Sequence, residues 1–338
     1  MQVRSGCDLE DGQVEEVSHL LASPDPENET KKDFLVELGK KGESISEVAA
    51  FIRVFRELAR DPGLENFADR AVDVAGTGGD HSNSFNISTT VSIILAAGGV
   101  PVIKHGNRSI TSKSGSADLL ESLGIDIQAE PDTIRGSLAE LNYCFLFAPA
   151  YHPAFKEIMP VRRELAEDGK RTVFNLLGPL INPGRPAHQM IGVYSKHLVH
   201  PVAQSLNRNG CKRGIVVHGI MPDRTGMDEL SCAGENLVCG FGELGDLDAY
   251  WTPETSGLAR CAKEDLVGGT NEDNLRMLHE ILDGKGNTGL VDTILFNASA
   301  AFWVAGVSEG LAKARDLLLG GAVKDWLARA RQFYADAG

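Results

Sequence analysis

Apolar positions along the first sixty residues recur every three or four places. The clearest case is "ISEVAAFIRVFRELAR", where Val48, Phe51, Ile52, Phe55 and Leu58 form one stripe, so residues 9 to about 65 are expected to be helical. "DPGLENF" ends that pattern, with Pro62 and Gly63 as the break. From Ala71 the texture changes to short β-rich runs alternating with amphipathic segments: "RAVDVAG", "TTVSIILAAGG", "VPVIKHG", "SADLLESLG", "IDIQ", "PDTIRGSLAELN" and "YCFLFAP". Such alternation predicts βαβ units, an α/β fold and a mostly parallel central sheet. A mostly helical excursion between about 153 and 181 ends in "FNLLGPLINP", after which "HQMIGVY" and "RGIVVHG" resume the sheet. The last 65 or so residues read as helices. Among them is "VDTILFNASAAFWVAG", interrupted by Asp292, Asn297 and Ser299, which suits a buried helix and not a membrane span.

Composition narrows the classes. With 338 residues, 42% hydrophobic and 24% charged, the chain fits a soluble protein with a large core, divided into two lobes. A net charge of −14 argues against a broad nucleic-acid-binding face, although a local basic spot is enough for a phosphate ligand. Six scattered cysteines without a C-x-x-C pair suggest reduced thiols and a cytoplasmic location. "MQVRSGCDLEDGQ" has no apolar core segment and is not expected to be a signal peptide or a membrane anchor.

Three polar blocks follow predicted strands. The first, "DVAGTGGDHSNSFNIST", places a glycine-rich loop between a strand and a helix, where open parallel sheets bind ligands. Glycines let successive N–H groups turn toward one anion, and the following helix adds its N-terminal donors. Alone, such a loop is equally a tight turn, and it matches neither G-x-G-x-x-G nor the Walker pattern. The second block, "KHGNRSITSKSGSADLLESLG", brings a lysine, an arginine and many hydroxyls to the same sheet edge. A helix cap at Ser114 or Ser116 explains part of it, but one polyphosphate touching both loops is more economical. In the third block, "GMDELS", Asp228 and Glu229 stand adjacent. They are either a solvated pair or, beside a polyphosphate, oxygen ligands for Mg2+.

Together with "YHPAFKEIMPVRREL" and "NLLGPL", these blocks resemble the anthranilate phosphoribosyltransferase family, in the same order from about residue 9 to 334. The resemblance implies a nucleoside phosphorylase/phosphoribosyltransferase fold: a small N-terminal helical domain hinged to a larger α/β domain. Residues 1–66, joined by the excursion at about 153–181, would be the helical domain, and residues 67–338 the donor-binding domain. It also implies a cytoplasmic homodimer in the tryptophan pathway that moves phosphoribosyl from 5-phosphoribosyl 1-diphosphate to anthranilate and releases pyrophosphate. By carry-over, Gly76, Thr77, Gly79, Asp80, Ser84, Asn86, Ile87, Ser88 and Thr89 would bind the donor. So would Lys104, Gly106, Arg108, Ser109, Ile110, Thr111, Ser112 and Ser116. His105, Asn107, His152, Arg162, Gly178 and Pro179 would face anthranilate, with Arg162 on its carboxylate. Ser88, Asp228 and Glu229 would hold two Mg2+ ions per monomer. No strong base is needed; Lys104 and Arg162 would position the reactants.

The chain departs from the family pattern at His81, where a small residue is common, and at Ser84, which replaces a usual Thr. About three extra residues lie in "ELAEDGKRTVFN" and about four in "HGIMPDRTGMDEL". The first insertion borders the acceptor half, which leaves a paralogous transferase of another aromatic amine as an alternative. A non-catalytic nucleic-acid-binding homologue is the other, against which the acidic balance speaks.

Overall fold

A computed structural model describes residues 2–108 and 113–337. Three helices open the chain: α1 (Asp11–Ala22), α2 (Asn28–Lys41) and α3 (Ile45–Glu57). The α3 stripe is buried as its spacing requires, with Val48, Phe51, Ile52 and Phe55 at most 3% exposed. A capping box starts the helix: Ser44 Oγ accepts the Glu47 N–H at 3.3 Å, and the Glu47 carboxylate accepts the Ser44 N–H at 2.7 Å. A short α4 (Glu65–Ala68) then leads to the sheet.

Strands β1 (Val72–Gly76), β2 (Val102–Gly106), β3 (Tyr143–Phe147), β4 (His188–Gly192) and β5 (Arg213–Ile220) run parallel. Strands β6 (Gly226–Met227), β7 (Glu235–Gly242) and β8 (Asp248–Trp251) add antiparallel pairs. The order is β3-β2-β1-β4-β5-β7-β8, with β6 on β5. From β1 the chain passes through α5 (Ile87–Ala97) to β2, and through α6 (Ser116–Ser122) and α7 (Pro131–Leu141) to β3. After α8 (Ala148–Tyr151), α9 (Met159–Glu167) and α10 (Phe174–Leu180) it returns to place β4 on the other side of β1. The strand order therefore reverses at β1, and the crevice beyond β1 and β4 is the switch point where such sheets take ligands.

Helix α11 (Val199–Arg208) connects β4 to β5; α12 (Asn271–Leu282), α13 (Thr288–Val304), α14 (Gly310–Leu319) and α15 (Ala322–Ala337) finish the chain. One sheet face carries α5, α6 and α12 to α15 around a core that includes Val74, Ile94, Phe296 and Phe302. The other carries α1 to α3 with α9, α10 and α11, joined through Phe51, Phe55, Val161, Phe174 and Leu206. The apolar helix expected over "VDTILFNASAAFWVAG" is α13, with Ile294, Leu295 and Phe302 fully buried.

Two sequence expectations change. "IDIQ" is not a strand: it lies in a turn after α6, where Ile125 and Ile127 plug the core at 1% and 3% exposure. Its alternation reflects packing rather than pairing. The antiparallel β7 and β8, which no strand–helix alternation announces, widen the sheet. All six cysteines are free thiols.

Candidate active site

The acidic pair is seated in a slot of glycines. Gly76 and Gly192, the last residues of β1 and β4, lie in register. A Cβ on Gly76 would stand 2.2 Å from Asp228 Oδ2, and one on Gly192 would stand 1.5 Å from the Asp228 carbonyl oxygen. On Gly219, near the end of β5, a Cβ would come within 2.7 Å of the Glu229 carbonyl oxygen. These bare strand ends let the "DEL" backbone lie across the sheet. Buried Asn297 on α13 clamps it: the Leu230 N–H donates to Asn297 Oδ1 at 3.0 Å, and Asn297 Nδ2 donates to the Leu230 carbonyl at 2.7 Å. The second insertion forms the tip of the β5–β6 hairpin, held where Lys263 Nζ donates to Asp223 at 2.7 Å and to Thr225 Oγ1 at 2.9 Å.

The glycine loop wraps the same carboxylate. Gly78 and Gly79 have φ of 66° and 74°, and His81 and Asn83 adopt the same left-handed region. The Gly78 N–H donates to Asp228 Oδ2 at 2.7 Å, and the Asp228 N–H donates to Asp80 Oδ2 at 3.2 Å. Among the described residues, the N–H groups of Gly79 and Asp80 find no internal acceptor, so both stay open as donors. Thr77 Oγ1 accepts the Tyr194 N–H at 3.0 Å, and Ser84 bridges to Val267. Ile87 and Thr89 are buried in the first turn of α5, where Glu229 Oε1 accepts the Ser88 N–H at 2.9 Å. Asn86 is held from two sides: its Oδ1 accepts from Asn274 Nδ2 at 2.7 Å, and its Nδ2 donates to the Ser114 carbonyl at 3.3 Å.

Burial beside the Asp80 carboxylate pushes Asp228 well above the usual carboxylate range, and burial beside Asp228 does the same to Glu229. Glu229 Oε2 is buried without a hydrogen-bond partner. A buried, unpartnered carboxylate oxygen fits a hard divalent cation. No group of three or more His, Cys, Asp or Glu at metal-binding spacing occurs among the described residues. Such a cation would therefore share its remaining positions with Ser88, water or phosphate oxygens.

The cations of the second block take other places than a simple phosphate clamp. Lys104 is 2% exposed and donates from Nζ to the Val74 carbonyl at 2.7 Å; burial lowers its pKa against the pull of Asp73 and Glu229. The pleat of β2 sends Lys104 to one face and His105 to the other. Arg108 pairs with Asp118 at 3.0 Å and Glu121 at 2.8 Å. Gly106 is bare because a Cβ would meet Ser116 Oγ, which donates to the Asn107 carbonyl at 3.2 Å. Ser109, Ile110, Thr111 and Ser112 lie outside the described residues.

On the opposite face a row of rings leads to the end of β2. Arg162 sits 5.7 Å from the Phe155 ring centroid and 5.8 Å from that of Phe174. His152 meets Phe155 edge-on at 5.5 Å and His105 at 4.9 Å, and His105 Nδ1 bonds the Gly178 carbonyl at 3.2 Å. Burial lowers His152 to about 4 and His105 well below the ordinary value, so both are neutral at pH 7. The Nε2 atoms of both are buried and unpartnered. Burial also lowers Arg162, and no carboxylate pairs with it among the described residues. Pro179 is buried inside α10, whereas Gly178 is open, with nothing within 4 Å of where a Cβ would stand. The first insertion lengthens the end of α9 and its turn at Gly169.

Gly192, Gly219 and Arg171 are not among the site residues expected from the sequence, where Asn297 reads only as a polar interruption of an apolar helix. The two glycines close "HQMIG" and "RGIVVHG", so a glycine at a strand end was the available signal.

The Glycosyl transferase family, a/b domain, matches residues 68–324. The chain is similar to anthranilate phosphoribosyltransferase of Thermus thermophilus, at 42% identity over 318 residues, 93% of this chain and 92% of that protein. The enzyme of the same name from Persephonella marina is 36% identical over 337 residues, 98% of this chain and 97% of the relative. Among solved structures, the crystal structure of the Thermus thermophilus enzyme aligns with a TM-score of 0.89 at 39% identity, covering 99% of this chain and 98% of that one. The Saccharomyces cerevisiae enzyme in complex with PRPP and Mg aligns at 0.80 and 26% identity, covering 96% and 92%.

Proposed function

The chain belongs to the anthranilate phosphoribosyltransferases, and from that premise we propose how its own residues divide the reaction. It transfers phosphoribosyl from 5-phosphoribosyl 1-diphosphate to anthranilate, giving N-(5-phosphoribosyl)anthranilate and pyrophosphate. The open N–H groups of Gly79 and Asp80 and the first turn of α5 receive the diphosphate. Thr77, Ser84 and Asn86 shape that loop, and Gly106 to Arg108 with Ser116 form its neighbour. Lys104 acts from behind, as the buried counter-charge of Asp73 first and of Glu229 second. Asp228, Glu229 and Ser88 would hold Mg2+, two ions per monomer in this scheme. Bound there, Mg2+ neutralises charge on the departing diphosphate.

Arg162 takes the anthranilate carboxylate, the charge its aromatic surroundings leave unmatched. His105 and His152, neutral and unpartnered at Nε2, accept from the acceptor amine; Gly178 and Pro179 wall the space. Bond breaking builds positive character on the sugar, so an in-line neutral amine is sufficient and no residue need act as a strong base. Residues 1–66 with 153–181 form the small lobe, and residues 67–338 the donor lobe. The assembly is a cytoplasmic homodimer paired through the helical lobe, where Leu20 of α1 is 47% exposed. No helix of the described residues is long and apolar enough to cross a membrane.

The observation that carries this reading is the acidic pair laid across the glycine slot beside two open N–H donors. Its test is a panel of aromatic amines with the donor and Mg2+, followed by loss of anthranilate fluorescence. Anthranilate should be consumed in preference to its relatives; consumption of another amine alone would overturn the acceptor half. Light scattering on the same preparation should give twice the 36.3 kDa chain mass, and a single chain mass would remove the dimer. No observation favours the nucleic-acid alternative.

A further inference from the structure

The cations that the sequence places at the phosphate loop are already engaged, Lys104 with a strand carbonyl and Arg108 with two carboxylates. Arg171 is not. It lies in the turn before α10, and its Nη2 donates to the Gly79 carbonyl at 2.5 Å, across 92 residues of sequence. Its guanidinium stacks on the Tyr194 ring at 3.9 Å, and the Tyr194 N–H donates to Thr77 Oγ1 at 3.0 Å. Both ends of the glycine loop are thus tied to one side chain and its aromatic support. No carboxylate neutralises Arg171 among the described residues.

The bond to Gly79 has a geometric consequence. The described peptide bonds are all trans, and in a trans peptide the N–H points opposite to the carbonyl. Fixing the Gly79 carbonyl on Arg171 therefore fixes the Asp80 N–H on the far side, where it has no internal acceptor. A glycine pair left to itself would turn that peptide freely. Three residues further along the chain, Phe174 supplies a ring beside Arg162 and the carbonyl that faces its Nη2 at 3.5 Å. One short segment thus reaches the donor loop with Arg171 and the acceptor row with Phe174.

We propose that Arg171 is a positioning residue that orients the Gly79–Asp80 peptide for the donor diphosphate and couples donor binding to the acceptor row through α10. The proposal rests on the assignment of this loop to the donor, and the coupling is a free energy shared by the two sites.

Donor binding is measured first, without turnover, by calorimetry with 5-phosphoribosyl 1-diphosphate and Mg2+ on the wild type, Arg171→Ala and Arg171→Lys. Arg171→Ala should weaken donor binding roughly tenfold, the loss of one charge-assisted hydrogen bond. Arg171→Lys should recover part of it, because it restores a charged donor without the planar stack. Benzoate, which keeps the acceptor carboxylate but has no amine to react, should tighten donor binding to the wild type and leave Arg171→Ala unchanged. In turnover, the KM values for both substrates should rise more than kcat falls. Unaltered donor affinity in a folded Arg171→Ala protein would overturn the proposal, as would substrate coupling equal to wild type. A wrong acceptor assignment would instead appear as normal donor binding with no anthranilate turnover in the wild type, and the calorimetric comparison would still decide the role of Arg171.

Discussion

A methyl group at Gly192 would lie 1.5 Å from the Asp228 carbonyl oxygen, whereas one at Gly178 would touch nothing within 4 Å. The two glycines therefore answer to different demands, the first to the fold and the second to a ligand. Gly192→Ala must push the acidic segment off the sheet, and we expect it to lower stability by about 3 kcal/mol or more, with loss of activity. Gly178→Ala, inside α10, removes a helix-weakening residue and should raise stability by up to about 1 kcal/mol. The same change should raise the anthranilate KM several-fold while leaving the donor KM alone, since Gly178 borders the acceptor row through the carbonyl that His105 bonds. Urea melts and two-substrate kinetics on the pair check both halves. An unchanged anthranilate KM would detach α10 from the acceptor.

At the scale of elements, the site is assembled by a strand-end crevice that α13 closes from behind. Asn297 is the contact that matters, since it satisfies both the N–H and the carbonyl of Leu230 within buried surroundings. Asn297→Leu keeps the volume and strands both groups, a loss of about 2–4 kcal/mol in the unfolding free energy read from urea melts. It should also raise the Mg2+ concentration needed for half-maximal rate, because the segment bearing Glu229 loses its anchor. An unaltered Mg2+ requirement would show that the acidic pair is held by the glycine slot alone. Much of this scale was legible in the chain: the α3 stripe, the strand–helix alternation and the glycine loop are local patterns, and local patterns survive in sequence. What was hidden is what distant segments do to each other. "KHGNRS" reads as a cationic edge for phosphate, with His105 and Asn107 toward the acceptor, but the β2 pleat turns Lys104 inward to the Val74 carbonyl. Gly192 and Gly219 have meaning only once the return of the chain lays Asp228 and Glu229 over them. Arg171 lies 92 residues from the carbonyl it fixes, and no spacing rule reaches that far.

Across the whole molecule, one sheet separates two chemistries, with carboxylates and open amides toward α5 and neutral histidines with an unmatched Arg162 toward α9 and α10. The acidic side opposes folding when no cation is present. Asp228 and Glu229 have folded-state pKa values raised by burial, so the folded chain binds protons more tightly than the unfolded chain. Their contribution to stability is then most favourable below the ordinary carboxylate range and is lost as pH rises from there toward the raised values. Metal-free protein should accordingly melt at a lower temperature at pH 8 than at pH 5.5, against the usual trend for surface carboxylates. The Asp228→Asn, Glu229→Gln double variant keeps the acceptors for the Gly78 and Ser88 N–H groups but carries no charge there. It should melt higher than the wild type at pH 8 without metal, show a flatter pH dependence, and gain nothing from Mg2+ with donor, which should stabilise the wild type. It should also lack Mg2+-dependent turnover. If the double variant melted lower than the wild type under metal-free conditions at pH 8, the buried acids would be structural partners of Lys104 rather than a charge held ready for the cation. The molecule would then owe its donor affinity to the loop amides alone.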